Sequence, residues 1–107
     1  MSFQVKLARQ TIFDIEEIYA YLPAQEGREI AEKVLDGLQK SVLGLSHLPE
    51  RGHFPPELEG LGLADIREIH FKPYRIVYQV RDKMVYVLAA ADGRRDFRSL
   101  LSRRLVR

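Results

Sequence analysis

Cysteine is absent from the 107-residue chain, which excludes disulfides, thiolate chemistry and the usual cysteine-based metal sites. This absence is compatible with a reducing compartment. Long apolar runs are missing too. The longest, Val85 to Ala91, falls far short of the roughly 20 residues a membrane-spanning helix needs. The opening Met1-Ser2-Phe3-Gln4-Val5-Lys6 carries no apolar stretch of the kind that marks a signal peptide. A cytoplasmic protein with no membrane partner is therefore expected. Net charge is also scarce, at +2, so a general basic bias does not describe the molecule.

What is present is an ordinary globular mixture, 46% hydrophobic and 30% charged, long enough for one domain and one core, expected to span residues 1–107. The charge is unevenly placed. From Gly93 to the C-terminus there are six arginines (Arg94, Arg95, Arg98, Arg103, Arg104 and Arg107) and one acid, Asp96, a balance of +5. The preceding ninety-two residues carry −3. A basic tail on a weakly acidic body points to an acidic partner, whether nucleic acid or an acidic protein segment, or else to a solvated end.

Periodicity supplies an element order. Phe3, Val5 and Leu7 alternate with Gln4, Lys6 and Ala8, a short half-buried strand. Thr11 three residues before Asp14 is an N-cap signature, and Ile12, Ile15, Ile18, Tyr19 and Leu22 follow at helical spacing until Pro23, which should end the helix. Ile30, Val34, Leu38, Val42 and Leu45, widened by Ala31 and Leu35, form the apolar stripe of a second helix. The short link from Ala24 to Gly27 predicts a helical hairpin over residues 11–48. A loop rich in Pro and Gly covers Pro49 to Gly62, and three strands follow: Ile66–Phe71, Tyr74–Val80 and Met84–Ala91. The last is apolar on both faces and should lie inside the sheet. Arg94 to Leu105 is expected as a short closing helix with Leu100, Leu101 and Leu105 on one side. The fold class is α+β, an antiparallel sheet packed on a helical hairpin.

Three local patterns carry a family resemblance. Leu48-Pro49-Glu50-Arg51-Gly52 resembles an "FPELG" step after a second helix. Lys72-Pro73-Tyr74-Arg75-Ile76-Val77-Tyr78-Gln79-Val80 resembles a "PYRIVYRV" strand. Asp92-Gly93-Arg94-Arg95-Asp96 resembles "HGRRD" after a last strand. In this order and spacing, on a β-α-α-β-β-β frame, the chain resembles the RelE/ParE toxins of type II toxin–antitoxin (plasmid stabilisation) systems, the ParE branch fitting best. Asp92 stands where the family often has histidine. The remaining histidines, His47, His53 and His70, are scattered. His53 and His70 read as surface or packing residues rather than ligands or bases, and neither metal nor cofactor is expected.

The resemblance implies one of three activities. A RelE-like protein is a ribosome-dependent mRNA endonuclease, which needs cations on the scissile phosphate and groups that move protons. Carried over by position, its cations fall on Arg67, Arg75 and Arg95. Ile69 occupies the place of a second strand lysine and Leu101 that of the C-terminal tyrosine. Arginine clamps phosphate well but exchanges protons poorly. Tyr74 and Tyr78 lie on the apolar face of their strand, where a core role is expected. A ParE-like protein instead poisons DNA gyrase by binding, and Arg75, Arg94, Arg95 and Arg98 become candidate target-binding residues. Equally open is a structural role, in which Arg75, Arg94 and Arg95 pair with Asp92 and Asp96. The third possibility is a weakly toxic co-repressor. Every branch implies a cognate antitoxin gripping the hairpin and the sheet edge, with operator DNA contacted only through it. The arginines at the far end, Arg103, Arg104 and Arg107, are expected to fray.

Overall fold

The computed structural model describes residues 2–25 and 27–105. Strand β1 (Gln4–Leu7) leads into helices α1 (Arg9–Gln25) and α2 (Arg28–Gly44). A single 3-10 turn at Pro56–Leu58 precedes strands β2 (Ile66–Phe71), β3 (Tyr74–Arg81) and β4 (Met84–Asp92), and helix α3 (Phe97–Leu105) closes the chain. The expected order is present. No helix among the described residues is long and apolar enough to cross a membrane.

The sheet runs β1-β4-β3-β2. β2, β3 and β4 pair antiparallel, while β1 lies parallel to β4, from Gln4 opposite Met84 to Leu7 opposite Val87. The sheet is therefore mixed rather than purely antiparallel, because the helical hairpin carries the chain across before β2 begins. β4 has a neighbour on each side, as its two apolar faces require, and Val85, Val87, Ala89, Ala90 and Ala91 are all buried.

Alternation sorts the side chains into two cores. On one face Ile69, Ile76, Tyr78, Val85 and Val87 pack with Leu38 and Val42 of α2, with Leu45 just after it, and with Ile15 and Ile18 of α1. On the other, Ile66, Val77, Ala89 and Ala91 pack with Leu58 and with Phe97, Leu100 and Leu101 of α3. Burial on both faces gives the sheet the rigidity to hold side chains at its ends.

Several local expectations give way to tertiary contacts. Thr11 does not cap α1. The helix starts at Arg9, and the fully buried Thr11 hydroxyl donates to the Val87 carbonyl at 2.7 Å. Asp14 accepts from the Ala90 N–H at 3.0 Å. Thr11 thus adds a second donor to a carbonyl that already accepts from the Ala8 N–H at 3.0 Å, while Asp14 serves the outer edge of β4 beyond the end of β1, where a backbone N–H would otherwise lack a partner. Pro23 does not end α1. It sits in the last turn, at the cost of one helical hydrogen bond, and the link to α2 shrinks to residues 26 and 27. Ile30, expected in the core stripe, is 45% exposed, because the first turn of α2 overhangs the sheet. Finally α3 begins at Phe97 rather than Arg94. Asp96 is its cap, accepting from the Ser99 backbone N–H and hydroxyl at 3.1 and 2.8 Å.

The two central sequence motifs meet here. The Tyr78 hydroxyl, buried in the core, accepts from the Gly52 N–H at 3.0 Å, and burial pushes the phenol above its ordinary value of 10.0. Gly52 is tied to close approach. A Cβ there would lie 2.5 Å from the Glu68 carbonyl oxygen and 2.7 Å from the Tyr78 hydroxyl. The core role expected for Tyr78 therefore extends to fastening the loop onto the sheet.

Candidate functional site

Arg75 projects from β3 onto the α3 face, where its guanidinium is enclosed. Nε and Nη2 donate to the two oxygens of Glu68 at 2.6 and 3.1 Å. Nη1 and Nη2 donate to Glu57 at 2.8 and 2.7 Å. The Phe97 ring lies 4.1 Å from Cζ. Its expected partners were Asp92 and Asp96. The structure gives it Glu57 and Glu68 instead, because Asp92 faces the other side of the sheet, opposite Tyr74, and Asp96 is committed to capping α3. Its hydrogen bonds to Glu57 above all hold the guanidinium's pKa above its usual value. Four of its five N–H donors are spent on these carboxylates, the fork that would grip a phosphate among them.

Arg67 sits on the opposite face. In the β2–β3 register it pairs with Tyr78, whereas Arg75 pairs with His70, so the two side chains leave the sheet in opposite directions. Arg67 Nη1 donates to the carbonyls of Glu50 and Gly52 at 3.1 and 2.8 Å, fastening the same loop that Tyr78 holds. The three cations of the nuclease set, Arg67, Arg75 and Arg95, thus do not converge on one point.

The basic end is split by role. Asp92 folds the turn after β4 by accepting from the Arg94 N–H at 2.9 Å, and its carboxylate takes the Arg94 guanidinium at 2.9 and 2.7 Å. This is a local pair on an Arg94 side chain that is 86% exposed, and it draws the Asp92 carboxyl below its usual value. Arg95 is half exposed, 3.9 Å from Glu17 of α1. Arg98 and Arg103 are exposed on α3. Arg104, expected to fray, is instead largely covered: it grips Asp14 through two bonds of 2.9 and 2.7 Å and donates to the Leu88 carbonyl at 2.8 Å. Leu88 is the residue left without a cross-strand partner by the irregularity that pairs Val77 with Ala89 and Tyr78 with Val87. Arg107 lies outside the described residues.

Two grooves flank this end. A larger one of about 930 Å³ runs between α1, the start of α2 and the end of β4, with Tyr21, Leu22, Ile30 and Val34 as apolar wall and Asp92, Arg94 and Arg95 as rim. A smaller one of about 550 Å³ lies between α1 and α3, lined by Phe13, Arg95 and Arg103 among others. Arg95, Asp14 and Glu17 border both. Phe13 and Tyr21, 56% and 63% exposed, extend the apolar surface along α1. The arrangement offers an apolar trough edged by charges of both signs, Arg94 and Arg95 beside Asp14, Glu17 and Asp92, which suits recognition of another macromolecule.

Sequence reading missed Glu57 and Glu68 as the partners of Arg75. A charged residue midway along an apolar strand, as Glu68 is between Ile66 and Ile69, was the available signal. It also missed the pairing of Asp14 with Arg104, for which a separation of ninety positions leaves no local trace.

Glu57 supplies a pH prediction. The Arg75 hydrogen bond, against opposing burial, holds its carboxyl below the usual 4.5. A lowered carboxylate contributes stability that is fully present above 4.5 and is lost as pH falls through the lowered value. Between about pH 5 and 3, the melting temperature should therefore fall more gently in Glu57→Gln than in the parent. Identical slopes would show that this pair is energetically silent.

Comparison with known proteins agrees with this architecture. The family model "ParE toxin of type II toxin-antitoxin system, parDE" matches residues 5–97. No curated sequence matches. Among solved structures, the chromosomal ParDE system of P. aeruginosa superposes with a TM-score of 0.70 at 19% identity, covering 85% of this chain and 96% of that one. A mutant of the E. coli toxin RelE in the free state gives 0.66 at 17% identity, covering 98% and 96%. The RelBE2 toxin–antitoxin complex of Mycobacterium tuberculosis gives 0.62 at 21% identity, covering 86% and 99%. At these identities the structures speak for the fold, and the family model speaks for kinship: the chain belongs to the ParE toxin family of type II toxin–antitoxin systems.

Proposed function

We propose that the chain is, over its whole length, one cytoplasmic toxin domain that inhibits DNA gyrase by binding it, without cleaving nucleic acid, and that a cognate antitoxin neutralises it. The observation that carries this reading is the fate of the cations a nuclease would need. Arg67 is spent on backbone carbonyls and Arg75 on two carboxylates, on opposite faces of the sheet, while Ile69 and Leu101 are both buried apolar residues. Arginine alone does not supply proton transfer. What remains accessible is the edge formed by Arg94, Arg95, Arg98 and Arg103, beside an apolar trough. Such a surface binds a partner without doing chemistry on it.

The antitoxin is assigned to the trough between α1 and α2, where exposed Tyr21 and Ile30 offer anchors and a rim of both charges offers polar contacts. Solved relatives occur in toxin–antitoxin assemblies, which supports such a partner. Contact with operator DNA then runs through the antitoxin.

Induced expression in a bacterial host should arrest division and raise the DNA-damage response, and co-expression of the neighbouring antitoxin gene should restore growth. Primer extension on ribosome-bound mRNA should show no codon-specific cuts. Clear cuts within coding sequence would replace the gyrase reading with the RelE-like one.

A further inference from the structure

We propose that His53, Glu68 and His70 form a binding site for a divalent transition-metal ion of the zinc type, on the α3 face of the sheet and apart from the arginine rim. One ligand atom from each of the three lies within 4.8 Å of the others. His53 Nε2 is 3.1 Å from Glu68 Oε2, and His70 Nε2 is 3.4 Å from Glu68 Oε1. Ligands bound to one tetrahedral ion at zinc–nitrogen and zinc–oxygen distances stand about 3.4 Å apart. The His70–Glu68 pair has that separation and the His53–Glu68 pair is slightly closer, the two imidazoles reaching different oxygens of the one carboxylate. Two imidazoles and one carboxylate are a zinc donor set that leaves a fourth position for water or a partner group.

The backbone prepares the site. His53 and Glu68 exchange N–H···O bonds of 3.0 and 2.7 Å in an isolated antiparallel bridge, so the loop residue is held at fixed height beside β2. His70, two residues along β2, returns to the same face as Glu68. The rings stand nearly perpendicular, 5.3 Å apart, over a carboxylate that is itself buried, its side chain 2% exposed. Their side chains are 59% and 46% exposed, which leaves an entry path.

The opposite side of that carboxylate is the part that singles out this cluster. Arg75 holds both oxygens of Glu68, and Glu57 holds Arg75. Each Glu68 oxygen also has an imidazole nitrogen nearby, His53 Nε2 at 3.1 Å from Oε2 and His70 Nε2 at 3.4 Å from Oε1. A ligating carboxylate that is itself fixed by hydrogen bonds is the ordinary outer arrangement of a metal site. The charge also favours an added cation: Glu57 and Glu68 face a single close guanidinium, and Arg98 acts on Glu57 only at a distance. A bound ion would clip the loop that carries His53 to β2 and contribute to the native state by mass action.

The test titrates zinc chloride into the full, tag-free chain in a non-coordinating buffer, by calorimetry and against a chromophoric chelator. One equivalent should bind. His53→Ala and His70→Ala should each weaken binding by roughly tenfold or more, and His47→Ala should leave it unchanged. Because both imidazoles are substantially exposed, these variants should fold, which circular dichroism checks. Zinc should raise the melting temperature of the parent and not that of the double variant. The absence of a one-equivalent event, or a double variant that binds as tightly as the parent, would overturn the proposal.

Discussion

Replacing Arg104 by alanine is expected to lower folding stability by about 3–5 kcal/mol, the range for breaking a buried ion pair from one side. Asp14 and Arg104 are 6% and 14% exposed, and two short bonds join them. Without the guanidinium, the Asp14 carboxylate keeps only the Ala90 N–H, and the Leu88 carbonyl loses the donor that Arg104 supplies. The pair also ties α3 to α1 and to the edge of β4 at once, so its loss loosens three elements. Deleting the residues after Leu101 removes the same contact and should cost as much. Urea unfolding measures this directly, with Arg103→Ala as the control, since an exposed substitution rarely moves stability by more than about 0.5 kcal/mol. Equal midpoints for Arg104→Ala and the parent would mean that the pair merely breaks even.

The double substitution Arg94→Ala/Arg95→Ala should do the reverse: abolish toxicity and leave the fold intact. Among the described residues Arg94 pairs with Asp92, two residues away, on a side chain that is 86% exposed, and the turn itself is made by the Arg94 N–H, which alanine retains. Arg95 reaches only an exposed Glu17 at 3.9 Å. Neither side chain holds a core element, whereas both stand on a turn fixed between β4 and the Asp96 cap. Truncating charges that become buried against a partner weakens binding by roughly a hundredfold or more. Growth assays on induced cells read the loss, and thermal melting of the purified variant confirms that it is folded. A folded variant with full toxicity would move the binding surface to Arg98 and Arg103. An unfolded one would make the turn arginines structural.

The fold was legible wherever periodicity was strong. The stripe of α2, the double-faced apolarity of β4 and the motif spacing set the element order without any coordinates. What stayed hidden was pairing at a distance. Thr11 and Asp14 have the spacing of a helix cap, yet both side chains bond β4 instead, Thr11 at the Val87 carbonyl and Asp14 at the Ala90 N–H beyond the end of β1, where a buried backbone group without a partner costs more than a frayed first turn. The arginines were visible as a cluster, but their division was not. Arg75 and Arg104 are consumed by acids that lie 7, 18 and 90 positions away, and only the three-dimensional arrangement separates them from Arg94, Arg95, Arg98 and Arg103. Likewise His53 and His70 look scattered in sequence and stand on either side of Glu68 in space.

The most direct measurement of the central claim combines purified chain, DNA gyrase and supercoiled DNA, with detergent added to capture covalent gyrase–DNA complexes. Translating ribosomes charged with mRNA are run in parallel. Binding without chemistry predicts that captured complexes accumulate with the parent chain, fall away with Arg94→Ala/Arg95→Ala or with added antitoxin, and that the mRNA stays whole. Cut mRNA with no captured gyrase complex would contradict it.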